Sequence, residues 1–185
     1  MSLRQLPNAI SVVRLLLVPP LVVLILAHRT APALAVFLIA GFSDALDGFL
    51  AKRFGWQTVL GGFLDGAADK ALLVGSMLAL AWIGGLPVWL VAAAVARDLI
   101  IVTGAAAFHW LVGRFTAEPS RLSKLNTLLQ LLVVMIALAP PWAAALIGPG
   151  GVRLLHAATL LTIAASGAHY IVVWGRRAAA GLDKR

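Results

Sequence analysis

Residues 43–70 read SDALDGFLAKRFGWQTVLGGFLDGAADK, and the four aspartates in them, Asp44, Asp47, Asp65 and Asp69, govern how the rest of the chain is understood. The protein has seven acidic residues among 185, and 62% of the chain is hydrophobic, so more than half of its carboxylates fall within one short stretch. An ionised carboxylate in a bilayer is costly unless it has a partner, water or a metal. Four such groups side by side also resist joint ionisation. Divalent cations between them would hold them charged and close. The set is all oxygen, with no cysteine anywhere and the closest histidine at His28. Such donors favour hard ions, Mg²⁺ or Mn²⁺, over Zn²⁺.

Outward from that stretch the chain is strongly apolar, with a mean hydropathy of +0.98 and 12% charged residues. This composition belongs to an integral membrane protein. Apolar runs and breakers divide it into six expected spans, at residues 9–28, 33–54, 58–82, 86–112, 122–139 and 152–175. A helix needs about 20 residues to cross a hydrocarbon core, and the fifth span is the shortest. The expected fold is therefore an all-α membrane protein of six transmembrane helices forming a single domain over 1–185. Arg14 lies inside the first apolar run and no small-residue cleavage site follows it, so that run reads as a retained helix rather than a signal peptide.

Six spans put both termini on one side. If that side is the cytoplasm, Arg4, Lys52, Arg53, Arg114, Arg121, Lys124, Arg176, Arg177, Lys184 and Arg185 all lie inside, and Arg29 and Arg153 lie in outer loops. The positive-inside rule favours this orientation. The formal net charge is +8. Its basic residues sit at helix ends and short loops, which suits anionic membrane lipids rather than nucleic acid as partner. The absence of cysteine excludes disulfides and thiolate chemistry.

In this frame Asp44 and Asp47 lie in the inner half of the second span and Asp65 and Asp69 in the inner half of the third. Residues three apart on a helix are separated by about 60° and residues four apart by about 40°. Each pair thus shares one face, and the short connection makes the two helices antiparallel neighbours. Gly48, Ala51 and Gly61 allow a bulky ligand close to the backbone, and Lys52 and Arg53 put positive charge at the mouth. Metal-bearing carboxylates, small residues and basic groups opening to one side describe a site for a phosphorylated substrate. Blander readings apply elsewhere. Asp98 beside Arg97 reads equally as a structural ion pair, His109, His169 and Tyr170 as packing residues, and the six tryptophans as interfacial anchors. A small ion or proton transporter needs acidic groups reaching both sides of the membrane, and the outer halves of these spans have none. A structural scaffold gives no reason to keep four buried carboxylates.

Written as a pattern, residues 44–69 are D-x2-D-G-x2-A-K-x8-G-x3-D-x3-D. This resembles the signature of the CDP-alcohol phosphotransferase family, D-x2-D-G-x2-A-R-x8-G-x3-D-x3-D, and departs from it only at Lys52, where the family has arginine. The opening Leu-Pro-Asn-Ala-Ile-Ser-Val-Val-Arg is similar to the family's P-N-x-x-[ST]-x-x-R start, so the resemblance covers most of the chain. It implies that Asp44, Asp47, Asp65 and Asp69 bind two divalent cations, Mg²⁺ or Mn²⁺, with Asp69 also the general base. It further implies that Asn8, Gly48, Ala51, Lys52 and Gly61 line the pocket for CDP-diacylglycerol and that the protein is a homodimer; the expected location is a bacterial inner membrane, with the active site, by the charge distribution above, facing the cytoplasm.

Two further stretches bear on the acceptor. Ala-Arg-Asp-Leu-Ile-Ile at 96–101 and Ser-Lys-Leu-Asn-Thr-Leu-Leu-Gln at 123–130 look most like eukaryotic-type cardiolipin synthases. Phosphatidylglycerophosphate synthases are similar but carry R-E, a second arginine about eight residues later, and G-K-x-K-T-x-x-Q. Here Ala105 and Ala106 stand near the position of that second arginine, and Asn126 replaces the second lysine. A dianionic acceptor wants several cations, so the expected acceptor is the phosphodiester of phosphatidylglycerol, met by Arg97, Lys124, Asn126 and Gln130. The expected reaction yields cardiolipin and CMP; its alternative uses glycerol 3-phosphate.

Overall fold

The computed structural model describes the backbone of residues 6–54, 59–111 and 120–182, and within these the side chains outside 6–8, 45–52, 59–60, 63, 107–109, 111 and 174–182. Among the described residues every regular element is an α-helix: α1 (Leu6–Leu26), α2 (Thr30–Phe54), α3 (Val59–Trp82), α4 (Val88–Leu111), α5 (Arg121–Leu138) and α6 (Pro141–Leu182). The chain is an all-α membrane protein. Four helices carry stretches long and apolar enough to cross a membrane: Ala9–Leu26, Val88–Ala106, Arg121–Leu138 and Pro141–Val173. Helices α2 and α3 are as long, with 25 and 24 residues, but carry the aspartates, and the apolar part of α2 ends at Asp44.

Exposure follows the same logic. Val13, Leu16, Val23, Ile39, Phe42, Leu99 and Leu161 are all exposed, whereas Arg14, Arg97, Asn126 and Gln130 are buried. Apolar outside and polar inside is the arrangement expected when the surrounding solvent is lipid. Trp82, Trp89, Trp110 and Trp142 are exposed and lie within a few residues of helix ends, where the amphipathic indole suits the headgroup layer.

The helix boundaries match the apolar runs closely except at α6. Residues 140–151 read as a breaker-rich connection, yet helix begins at Pro141. Proline at the first helical position forfeits no hydrogen bond, because that N–H has no intrahelical acceptor. The alanines that follow are strong helix formers. The helix is broken inside by Gly148, at φ 67° and ψ 166°, and restarts at Pro149. A side chain at Gly148 would be strained by that positive φ. Breaker and restart thus replace the expected loop.

The chain is organised as two compact units, one of Met1–Leu86 and Val134–Leu146, the other of Pro87–Val133 and Ile147–Arg185. In the first, α1 packs against both α2 and α3, and among the described residues α2 and α3 meet each other at fewer places. Leu21 and Ile25 of α1, Phe37 and Ala40 of α2, and Leu72, Met77 and Leu80 of α3 are buried there. Gly75 permits the close approach of α3 to α1, since a β-carbon on it would lie 3.3 Å from Val18 Cγ1 and 3.6 Å from Val22 Cγ2. In the second unit Leu90, Val91 and Ala94 of α4, Val133 of α5 and Ile163 of α6 are buried.

Candidate active site

Three helices of the first unit converge on one point. Asp44 of α2 and Asp65 and Asp69 of α3 each offer a carboxylate oxygen, and the three oxygens lie within 4.8 Å of one another. Asp44 of one expected pair meets both members of the other, with α1 packed against the two helices that carry them; the side chain of Asp47 lies outside the described residues. From α1 comes Arg14, whose side chain is fully buried. Its Nη1 donates to Asp44 Oδ1 at 2.5 Å, Asp69 Oδ1 at 2.6 Å and Asp65 Oδ1 at 3.0 Å. One turn earlier on the same face, Ser11 Oγ lies 3.5 Å from Asp65 Oδ1, a long contact. The three carboxylates are partly open to solvent, Asp69 most so at 47%.

This donor set fits a hard divalent ion. Three carboxylate oxygens already surround a single cationic nitrogen at 2.5–3.0 Å. Mg²⁺ binds oxygen at about 2.0–2.1 Å and Ca²⁺ at about 2.3–2.6 Å, so inward shifts of about an ångström or less in each oxygen would suffice. Among the described residues no sulfur or imidazole joins the group, in keeping with an oxygen-preferring metal.

Of the other residues read from the sequence as donor contacts, Gly61 lies one turn before Asp65 on α3. The backbone of Asn8 belongs to α1 and that of Asp47, Gly48, Ala51 and Lys52 to α2. Their side chains lie outside the described residues. Arg14 and Ser11 were not assigned to the site from sequence. The signal was available: an arginine inside an apolar run needs an anionic or polar partner.

The second unit holds a separate polar seam. Arg97 of α4 is 4% exposed. Its Nη1 donates to Asp98 Oδ1 at 2.7 Å, and its Nη2 to Ser123 Oγ of α5 and Ser166 Oγ of α6, both at 2.6 Å. Nε lies 3.3 Å from the same Ser166 oxygen, and the guanidinium carbon sits 5.9 Å from the Tyr170 ring centroid, within cation–π range. Thus Asp98 does pair with Arg97, and Tyr170 packs beneath it. Ser120 caps α5 by accepting the Ser123 N–H at 3.1 Å, which fixes the start of the helix that presents Ser123. Ser123, Asn126 and Gln130, at i, i+3 and i+7, lie along one stripe of α5. Asn126 and Gln130 are buried, and Asn126 Oδ1 accepts from Thr162 Oγ1 at 3.2 Å. Their amide nitrogens, Nδ2 and Nε2, have no partner among the described residues. Lys124 is exposed.

Among the described residues, then, a helical membrane protein gathers three carboxylates that could hold a metal ion. Residues 4–174 match the family model described as CDP-alcohol phosphatidyltransferase, and the chain belongs to that family. It is 34% identical over 151 residues to the cardiolipin synthase (CMP-forming) of Rattus norvegicus, covering 73% of this chain and 50% of that one. It is 33% identical over 154 residues to the chloroplastic CDP-diacylglycerol–glycerol-3-phosphate 3-phosphatidyltransferase 1 of Oryza sativa subsp. japonica, covering 74% and 47%. A Mycobacterium tuberculosis protein described as a probable phosphatidylglycerophosphate synthase is 29% identical over 168 residues, covering 88% and 74%. The chain spans half or less of the length of the first curated relatives it matches.

Proposed function

We propose that this chain is a single catalytic domain that transfers a phosphatidyl group from CDP-diacylglycerol to phosphatidylglycerol, giving cardiolipin and CMP. The observation that carries the reading is the convergence of Asp44, Asp65 and Asp69 in a member of this family. Asp47, one helical turn from Asp44, completes the four-carboxylate set in this reading. Bound among them, two divalent ions, Mg²⁺ or Mn²⁺, would neutralise the diphosphate and stabilise CMP as leaving group.

The protein's own groups do the rest. Gly48, Ala51, Lys52, Gly61 and Asn8 receive the CDP end of the donor. Asp69, the most open of the three described carboxylates, takes the proton of the acceptor hydroxyl. That oxygen then attacks the phosphorus of the phosphatidyl group, and the bond from this phosphorus to the CMP oxygen breaks. On the acceptor side, Arg97 and Lys124 meet the acceptor phosphodiester, while the Asn126 and Gln130 amides donate hydrogen bonds. The buried amide nitrogens, without acceptors among the described residues, support that role. In this reading the active site opens to the cytoplasmic face of a bacterial inner membrane with both termini inside, an orientation that the distribution of arginine and lysine supports. Assembly as a homodimer belongs to the same reading and rests on family resemblance.

A second reading keeps the donor and changes the acceptor to glycerol 3-phosphate, giving phosphatidylglycerophosphate. Relatives of both descriptions match at similar identity, 34% and 33%. The neutral, buried Asn126 favours the less charged acceptor. Purified protein given CDP-diacylglycerol, Mg²⁺ or Mn²⁺, and each acceptor separately, with products read by lipid mass spectrometry, tests this. Cardiolipin from phosphatidylglycerol at a far higher rate than phosphatidylglycerophosphate from glycerol 3-phosphate is expected. The reverse preference moves the chain to the second reading.

A further inference from the structure

We propose that Arg14 is the resident counter-ion of the carboxylate cluster: it holds the three aspartates together before a metal arrives, and it competes with that metal for their oxygens. The inference rests on the metal-binding reading of the cluster given above and goes beyond it by assigning a positioning role on α1. Asp44 comes from α2 and Asp65 and Asp69 from α3, so acids from two different helices are brought to one point. Left alone, three like charges this close would push apart. Helix α1 packs on both helices, and Arg14 reaches one oxygen of each acid from a fully buried stem. Ser11, on the same face of α1, adds its long contact to Asp65.

Competition follows from where the charge sits. Arg14 Nη1 lies 2.5, 2.6 and 3.0 Å from the three Oδ1 atoms, and so occupies the space those oxygens enclose. A divalent ion bonded to the same oxygens at about 2.0–2.2 Å leaves no room for a guanidinium nitrogen between them. Arg14 must therefore withdraw from these contacts when the cluster is loaded, and the affinity for metal is reduced by the strength of the contacts given up. The same residue assembles the ligands and restrains their occupancy.

The test uses the full chain, purified in detergent and stripped of metal, with Mn²⁺ as the probe. Free Mn²⁺ is counted by electron paramagnetic resonance during titration, and melting is followed with and without saturating Mn²⁺. Competition predicts that Arg14→Met binds Mn²⁺ more tightly than wild type, by about tenfold or more, which corresponds to about 1.4 kcal/mol per factor of ten. It also predicts a lower melting temperature for the metal-free variant and its recovery with Mn²⁺. Arg14→Gln, polar but uncharged, should shift the same way. Equal or weaker Mn²⁺ binding in either folded variant overturns the proposal, because a purely structural arginine would lower melting without tightening the metal. Failure of both variants to fold even with Mn²⁺ present also overturns it, since the ion should then supply the holding charge. A wild-type chain that binds no Mn²⁺ at all removes the metal reading itself, and this proposal with it.

Discussion

Removing the Ser166 hydroxyl measures what the buried seat of Arg97 is worth. Ser166 is fully buried, and its oxygen receives Nη2 at 2.6 Å and, more weakly, Nε at 3.3 Å. A hydrogen bond to a charged group contributes about 1.5–3 kcal/mol. Ser123 still accepts from Nη2 and Asp98 from Nη1, so the guanidinium is not stranded, and the lower part of that range applies. Ser166→Ala should therefore destabilise the protein by roughly 1.5–2 kcal/mol. In a domain of this size each kcal/mol corresponds to about 2–4 °C, so melting in detergent should fall by about 3–8 °C. Ser123→Ala should do less, because Ser123 is only half-buried. The double variant leaves Nη2 without a hydroxyl acceptor among the described residues and should exceed the sum of the two single losses. The functional counterpart is CMP release measured against acceptor concentration. A loosened Arg97 should raise the apparent KM for phosphatidylglycerol several-fold and leave that for CDP-diacylglycerol nearly unchanged. Additive losses, or a rise confined to the donor KM, would refute the view that both serines aim Arg97 at the acceptor.

Three further outcomes are expected. Gly75→Leu drives a branched side chain into Val18 and Val22, where a β-carbon alone already stands 3.3 Å from Val18 Cγ1; it should lose about 1–3 kcal/mol by melting and separate Arg14 from its aspartates. Asp69→Asn should abolish CMP release while retaining donor binding, and Asp44→Asn should weaken both; unchanged turnover in Asp69→Asn would contradict its role as base. Reporter fusions after Arg53, after Arg121 and at the C-terminus should read cytoplasmic, and one at the junction of Pro140 and Pro141 should read external, a cytoplasmic signal there being incompatible with the orientation.

The fold was legible because a bilayer demands long apolar helices, and each such run in the sequence became one. What could not be seen was the start of α6. Pro140, Pro141, Gly148, Pro149 and Gly150 look like a loop on composition, whereas proline at a helix start and one positive-φ glycine let helix surround the kink. That Asp44, Asp65 and Asp69 come together could be expected from spacing, since 3.6 residues per turn puts Asp65 and Asp69 on one face and the helical hairpin brings Asp44 opposite. Arg14 was legible in part: an arginine inside an apolar run calls for an anionic or polar partner, but a separation of 51 to 55 positions from Asp65 and Asp69 leaves no periodic trace of which acids it meets. The seat of Arg97 was half legible. Its acidic neighbour is adjacent in sequence, but Ser123 and Ser166 are ordinary helix residues until α4, α5 and α6 bring them together.

The central claim is that the aspartate cluster works through divalent ions. It is tested most directly by CMP release from CDP-diacylglycerol and phosphatidylglycerol, first in excess EDTA and then with Mg²⁺ or Mn²⁺ added back. Three oxygens gathered within 4.8 Å on hard donors predict no turnover in chelator and full recovery with either ion. Undiminished CMP release in excess chelator would contradict it.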